Sequence, residues 1–131
     1  MLFFKNFKKT NITKDLPFDE ALQEILGRSY RLELVFTSSE TMKTLNKTYR
    51  GEDKTTNVLS FALDEYRGQI FFDADLIRKE AKAKKITFKS RLWYLFLHGV
   101  LHLAGFDHEG GLKKARNMQI VEARLLKKYS I

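Results

Sequence analysis

The sequence predicts a small α/β protein of the α+β kind, with a mixed four-stranded sheet and helices packed on it. Apolar residues recur at helical spacing from Phe18 to Leu26, whereas Tyr30–Thr37 and Asn57–Leu63 are rich in strand-forming residues. The stretch Phe88–Ala104 predicts a long helix that is apolar on every side at its middle, and therefore central and buried. The 131 residues are expected to form a single domain, residues 1–131.

The first half of the chain begins with an expected edge strand over Leu2–Phe7. Pro17 stands at the start of the first helix, where its missing N–H group costs least. After the strand that ends at Thr37, Ser38 can cap a short helix that carries Met42 and Leu45.

The second half alternates between a loop, strands and helices. Gly51–Thr56 is a polar loop before the strand at Asn57, and Gln69–Phe72 predicts a further strand. Asp73 and Asp75 open a lysine-rich helix that runs to about Lys85, with acidic residues favourable at its start. The chain closes with a helix of mixed character, marked by Ala115, Met118, Glu122, Leu125 and Tyr129.

Composition narrows the classes of function. The net charge of +8 favours an anionic partner, with nucleic acid the leading candidate, but lysine-rich solvated helix faces explain it equally well. The N-terminal run is too interrupted by lysine to be a secretory signal, and the apolar stretch Leu92–Phe106 is too short to cross a bilayer. We expect a cytoplasmic protein with no membrane partner, and the absence of cysteine is compatible with a reducing compartment.

The basic residues fall into groups along the chain. Contacts from such groups to phosphates would give affinity for nucleic acid without reading its sequence. The groups are Lys5, Lys8 and Lys9; Lys82, Lys84, Lys85, Lys89 and Arg91; Lys113, Lys114 and Arg116; and Lys127 and Lys128.

All three histidines lie in one eleven-residue window, His98-Gly-Val-Leu-His102-Leu-Ala-Gly105-Phe-Asp-His108. On a helix, His98 and His102 project from one face, one turn apart, so both imidazoles can reach one metal ion. Gly105 can adopt a left-handed conformation and end the helix, which lets His108 approach as the third ligand. Three nitrogen ligands leave one open position on a tetrahedral ion, the arrangement of catalytic zinc. The alternative is an accidental cluster of histidines.

The window resembles the zinc motif of metzincin-type proteases, HxxxHxxGxxH. Those enzymes carry a glutamate directly after the first histidine, and it is the general base for the zinc-bound water. Here that position is Gly99, so the peptidase mechanism lacks its base.

With glycine at that position, the window is similar to the YbeY family of bacterial endoribonucleases. A second block agrees: residues 45–61 read LNKTYRGEDKTTNVLSF, against the family's LNxxYRxxDxxTDVLSF. A third block, Gly68-Gln69-Ile70, stands where the family usually has Gly-Asp-Ile. Asn57 and Gln69 thus replace acidic residues of the family pattern, and neither position is a metal ligand in it.

The resemblance implies a metal-dependent, single-strand-directed endoribonuclease that acts in 3′-end maturation of 16S rRNA and in ribosome quality control. It implies one zinc ion on His98, His102 and His108, and a functional arginine at Arg50. The expected partners are the 16S rRNA precursor and the small ribosomal subunit, together with candidate ribosome-assembly proteins. No DNA partner is expected.

The chemistry of individual side chains suggests further roles in the site. Arg50 offers a planar fork of donors that suits a phosphate, although a surface ion pair is the plain alternative. Asp107 could orient a ligating imidazole or simply occupy a turn, and Glu109 is a weak candidate for the base. Thr56 and Ser60 could line the cleft, but local hydrogen bonding explains them better. The rival functions are a peptidase-like zinc hydrolase and a non-catalytic ribosome-assembly factor with a structural metal.

Overall fold

A computed structural model describes residues 1–5, 16–105 and 112–129 of the chain. The elements follow in this order: β1 (Leu2–Lys5), α1 (Phe18–Leu26), β2 (Arg31–Thr37), α2 (Ser39–Arg50), β3 (Val58–Asp64), β4 (Arg67–Asp73), α3 (Ala74–Lys84), α4 (Phe88–Leu103) and α5 (Leu112–Lys128). Each predicted helix and strand has a counterpart among the described residues, although the last two residues of the predicted edge strand Leu2–Phe7 lie outside them. The helix after Ser38 is longer than expected, because it continues to Arg50 before Gly51 ends it with a left-handed backbone, φ +69°.

The four strands of the described chain form one sheet in the order β1-β2-β4-β3. Strand β2 pairs in parallel with both β1 and β4, whereas β3 pairs antiparallel with β4. The sheet is therefore mixed, as predicted, with β1 at one edge and β3 at the other. One face carries apolar residues such as Leu34, Ile70 and Phe72, each with no exposed surface.

The apolar face of the sheet packs against α4. Trp93 and Phe96 are at most 1% exposed, and Phe18 of α1 lies against both rings, with centroids 5.8 Å and 4.8 Å away. Between Leu92 and Leu97 only Tyr94 is not fully buried, which confirms the predicted central helix. Such a helix is a rigid support for side chains near its C-terminal end.

Side chains cap three of the helices where the sequence places suitable residues. Ser38 Oγ accepts a hydrogen bond from the Thr41 amide at 3.2 Å, and Asp73 Oδ1 accepts one from the Leu76 amide at 3.1 Å. Thr87 does the same for α4. None of the helices in the described ranges is long and apolar enough to cross a membrane.

Candidate active site

The predicted histidine pair lies on one face of α4, near the end of the helix. The Nε2 atoms of His98 and His102 are 3.0 Å apart, and the two ring centroids are separated by 4.6 Å. Two nitrogens bound to one tetrahedral zinc ion at about 2.05 Å would lie about 3.3 Å apart. The observed separation is close to the distance expected for two neighbouring ligands of one ion, and imidazole nitrogens are donors that suit zinc.

The second ring nitrogen of His98 has a partner that the sequence did not single out. Its Nδ1 atom is 2.7 Å from Oε1 of Glu122, a residue of α5 that is only 6% exposed. A carboxylate can only accept a hydrogen bond, so Nδ1 donates and carries the proton. The signal in the sequence was a lone carboxylate on the apolar stripe of Met118 and Leu125.

Tyr94 packs against the ring of His98 from the preceding helical turn. The two ring planes are 22° from parallel and the centroids are 6.2 Å apart. Burial raises the pKa of the Tyr94 phenol, and the negative charge of Glu122 adds to the rise against the opposing charge of Arg91. Tyr94 is thus an uncharged aromatic ring stacked beside the imidazole.

Gly99 lies where α4 comes closest to the sheet. A Cβ atom at this position would be 2.9 Å from both Ile70 Cδ1 and Ser60 Oγ, so even a methyl group would displace its neighbours. Ser60 Oγ donates a hydrogen bond to the Gly99 carbonyl at 3.3 Å, which agrees with a local structural role for Ser60. The glutamate of the protease motif would fit here only if the side chains of Ile70 and Ser60 moved.

The third predicted ligand, His108, lies outside the described residues, as do Asp107 and Glu109. Gly105, the last described residue before them, has φ +96°, the left-handed backbone expected of the residue that ends this helix. Within the described ranges no group of three or more His, Cys, Asp or Glu side chains could hold a metal ion.

Arg50 is the last residue of α2 and is exposed. No ion pair joins it to a carboxylate in the part of the chain that the structure describes. Its neighbour Tyr49 packs edge-on against Phe61 of β3, with ring centroids 5.2 Å apart. Phe61 and Ser60 point to opposite faces of β3 because successive side chains alternate along a strand. Among the described residues, no hydrogen bond or ring contact joins Arg50 to His98 or His102.

Comparisons with known proteins agree with the motifs. The sequence profile of the family described as Endoribonuclease YbeY matches residues 5–130. The Endoribonuclease YbeY of Syntrophotalea carbinolica is 33% identical over 139 aligned positions, which cover 95% of this chain and 93% of the relative. That of Nitratiruptor sp. is 40% identical over 104 positions, covering 76% and 70%. The chain belongs to the YbeY endoribonuclease family.

A solved structure matches the fold of this chain over nearly its whole length. The solution structure of a protein from Thermotoga maritima superposes with a TM-score of 0.60 and 25% sequence identity. The match covers 98% of this chain and 91% of the other. The family resemblance drawn from the sequence motifs is confirmed by the profile match and the named relatives.

Both departures from the YbeY sequence pattern are matched by a carboxylate neighbour. Asn57 Nδ2 donates to Glu80 Oε1 and Oε2, at 2.9 Å and 3.1 Å, and Glu80 also binds Arg91. Gln69 Nε2 donates to Glu33 Oε1 at 3.0 Å, on the sheet face away from Gly99. In this chain the side-chain amide at each position donates a hydrogen bond to a glutamate carboxylate. The two residues serve packing between elements.

Restoring the family's aspartate with Asn57→Asp is expected to destabilise the fold by about 1–2 kcal/mol, because two carboxylates would face each other in a half-buried site. Denaturant unfolding of the variant near neutral pH measures the loss. The double variant Asn57→Asp with Glu80→Gln should recover most of the stability. A single variant as stable as the natural chain would contradict the pairing.

Proposed function

We propose that the chain is a zinc-dependent, single-strand-specific endoribonuclease with His98, His102 and His108 as the metal ligands. It acts in 3′-end maturation of 16S rRNA and in ribosome quality control, as one cytoplasmic domain working on the small ribosomal subunit. The observation that carries the proposal is the convergence of two imidazole Nε2 atoms at 3.0 Å in a chain of the YbeY endoribonuclease family.

A zinc ion held there would supply Lewis-acid polarisation of a phosphoryl oxygen and a bound water with a pKa of about 7. The chain's own residues do the rest. His98 presents Nε2 because its Nδ1 proton is engaged by Glu122. Arg50 offers two parallel N–H donors to the phosphate that gains negative charge in the transition state. Since its guanidinium is exposed, it is accessible to an RNA backbone.

The substrate proposal follows from charge and from Gly99. The chain carries 24 basic against 16 acidic residues, which favours a polyanion such as RNA. Peptide hydrolysis by the metzincin route needs a carboxylate next to the first histidine. Residue 99 is glycine, and a side chain there would first have to displace Ile70 and Ser60. The same site therefore suits phosphodiester chemistry better than peptidase chemistry.

Metal removal and reloading test this function directly. A chelator should abolish cleavage of a single-stranded RNA oligonucleotide, and stoichiometric zinc should restore it, because the chemistry depends on the bound ion. DNA of the same sequence and the RNA duplex should remain uncut. Circular dichroism of the metal-free protein separates lost chemistry from lost folding. Full RNA cleavage by folded, metal-free protein would overturn the proposal, as would cleavage of a peptide substrate in place of RNA.

A further inference from the structure

We propose that Glu122 is the positioning residue of the metal site: it holds His98 in the orientation and tautomer that a ligand through Nε2 requires. The inference rests on the proposed metal centre and deepens it. It assigns a function to α5, a helix that contributes no metal ligand of its own.

The burial of Glu122 needs an explanation. A carboxylate that is 6% exposed costs several kcal/mol of desolvation unless a partner compensates it. In the described part of the chain no lysine or arginine forms an ion pair with it, and its hydrogen-bond partner is His98. Asp73, also buried, instead caps α3. The hydrogen bond to the His98 imidazole thus compensates the desolvation of the Glu122 carboxylate.

The contact selects one tautomer of His98. Because the carboxylate accepts a hydrogen bond from Nδ1–H, the neutral ring keeps an unprotonated Nε2, and this atom faces Nε2 of His102. The opposite tautomer would place a hydrogen atom where the metal must bind. Tyr94, stacked within 22° of the His98 plane, restricts rotation of the same ring from its flat side. Tyr94 therefore restricts the plane of the His98 ring, and Glu122 determines which of its nitrogens carries the proton.

Helix α5 holds the carboxylate firmly. Met118 and Leu125, one turn to either side of Glu122, are 0% and 3% exposed within the core. At the C-terminal end of α5, Lys128 and the Tyr129 hydroxyl both bind Glu24 of α1. Glu24 therefore anchors the same helix without touching the histidines, which makes it a matched control.

The test compares Glu122→Gln with Glu24→Gln in the full chain, using zinc ion alone as the probe and a chromogenic chelator as competitor. Loss of the charge at Glu122 is expected to weaken zinc binding about 10- to 100-fold. Glu24→Gln, which loosens α5 without changing the contact to His98, is expected to keep zinc affinity within about threefold of the natural chain.

A second readout needs neither cleavage nor zinc. Imidazole nitrogen NMR of the metal-free natural chain, recorded above the ordinary histidine pKa of about 6.5, should show the Nδ1–H tautomer at His98. Glu122→Gln should give a mixture of tautomers. An Nε2–H tautomer in the natural chain would overturn the proposal, as would unchanged zinc affinity in Glu122→Gln or an equal loss in both variants. Because RNA is absent from both measurements, failure of the proposed nuclease activity is scored separately.

Discussion

Replacing His102 with alanine is expected to abolish RNA cleavage while the fold persists. The side chain is half-buried at the end of α4, and its Nε2 atom is one of the two that converge at 3.0 Å. Without it the ion loses a ligand, and cleavage should fall at least about 1,000-fold, or about 4 kcal/mol of transition-state stabilisation. Metal analysis and a cleavage assay on the same preparation measure the two losses together.

Ser60→Ala is the matched control for His102→Ala. It removes the hydrogen bond to the Gly99 carbonyl on the same stretch of α4 but leaves both imidazoles in place. This variant should keep its zinc and most of its activity. If folded, metal-free His102→Ala protein still supported maturation of the small ribosomal subunit in cells, the metal would have no catalytic role. The rival interpretation as a non-catalytic assembly factor would then be the better one.

The elements of the fold were predictable because their signals are local. Helical spacing of apolar residues indicates α1, and a long apolar stretch indicates α4. The residues suited to capping at Ser38 and Asp73 occupy the predicted helix starts. The placement of His98 and His102 on one face is equally local, since residues four apart on a helix lie about one turn apart. The strand order β1-β2-β4-β3 is different, because it depends on which apolar faces pack together across the whole chain.

The same difference between local signals and long-range contacts explains which site residue could not be predicted from the sequence. Glu122 reaches His98 across 24 positions of sequence, and only the packing of α5 on α4 brings the two together. The sequence offered Asp107 for that orienting role because it lies beside a predicted ligand. Likewise, the sequence shows Asn57 only as the loss of an acidic residue. The structure shows that it pairs with Glu80, 23 positions away. Contacts between distant elements are set by tertiary packing, which no local pattern encodes.

Gly99 shows how one residue can carry two independent arguments. Chemically, it removes the general base that the protease motif requires. Structurally, its missing Cβ lets α4 lie against Ile70 and Ser60. A glutamate there would have to displace these neighbouring side chains. The close packing and the loss of peptidase chemistry therefore have the same origin.

Arg50→Ala is expected to lower RNA cleavage about 100- to 1,000-fold with zinc content unchanged, since removing one donor to a developing charge costs about 3–4 kcal/mol. Arg50 is exposed at the end of α2, so we expect the substitution to leave the fold and the proposed metal ligands unchanged. Single-turnover cleavage, with metal analysis of the same sample, gives the result. Arg50→Lys should recover only part of the activity, because an ammonium group keeps the charge but not the planar fork.

Lys47→Ala separates a specific role of Arg50 from the general charge of this surface. Lys47 is exposed, lies in the last turn of the same helix, and carries the same formal charge. Its loss should weaken RNA binding only slightly and should leave the cleavage step unchanged, because it removes one screened positive charge. If Lys47→Ala and Arg50→Ala lost RNA cleavage to the same extent, Arg50 would contribute only to the general positive charge of this surface. Unchanged cleavage in Arg50→Ala would remove it from the mechanism altogether, leaving the metal centre to stabilise the phosphate alone.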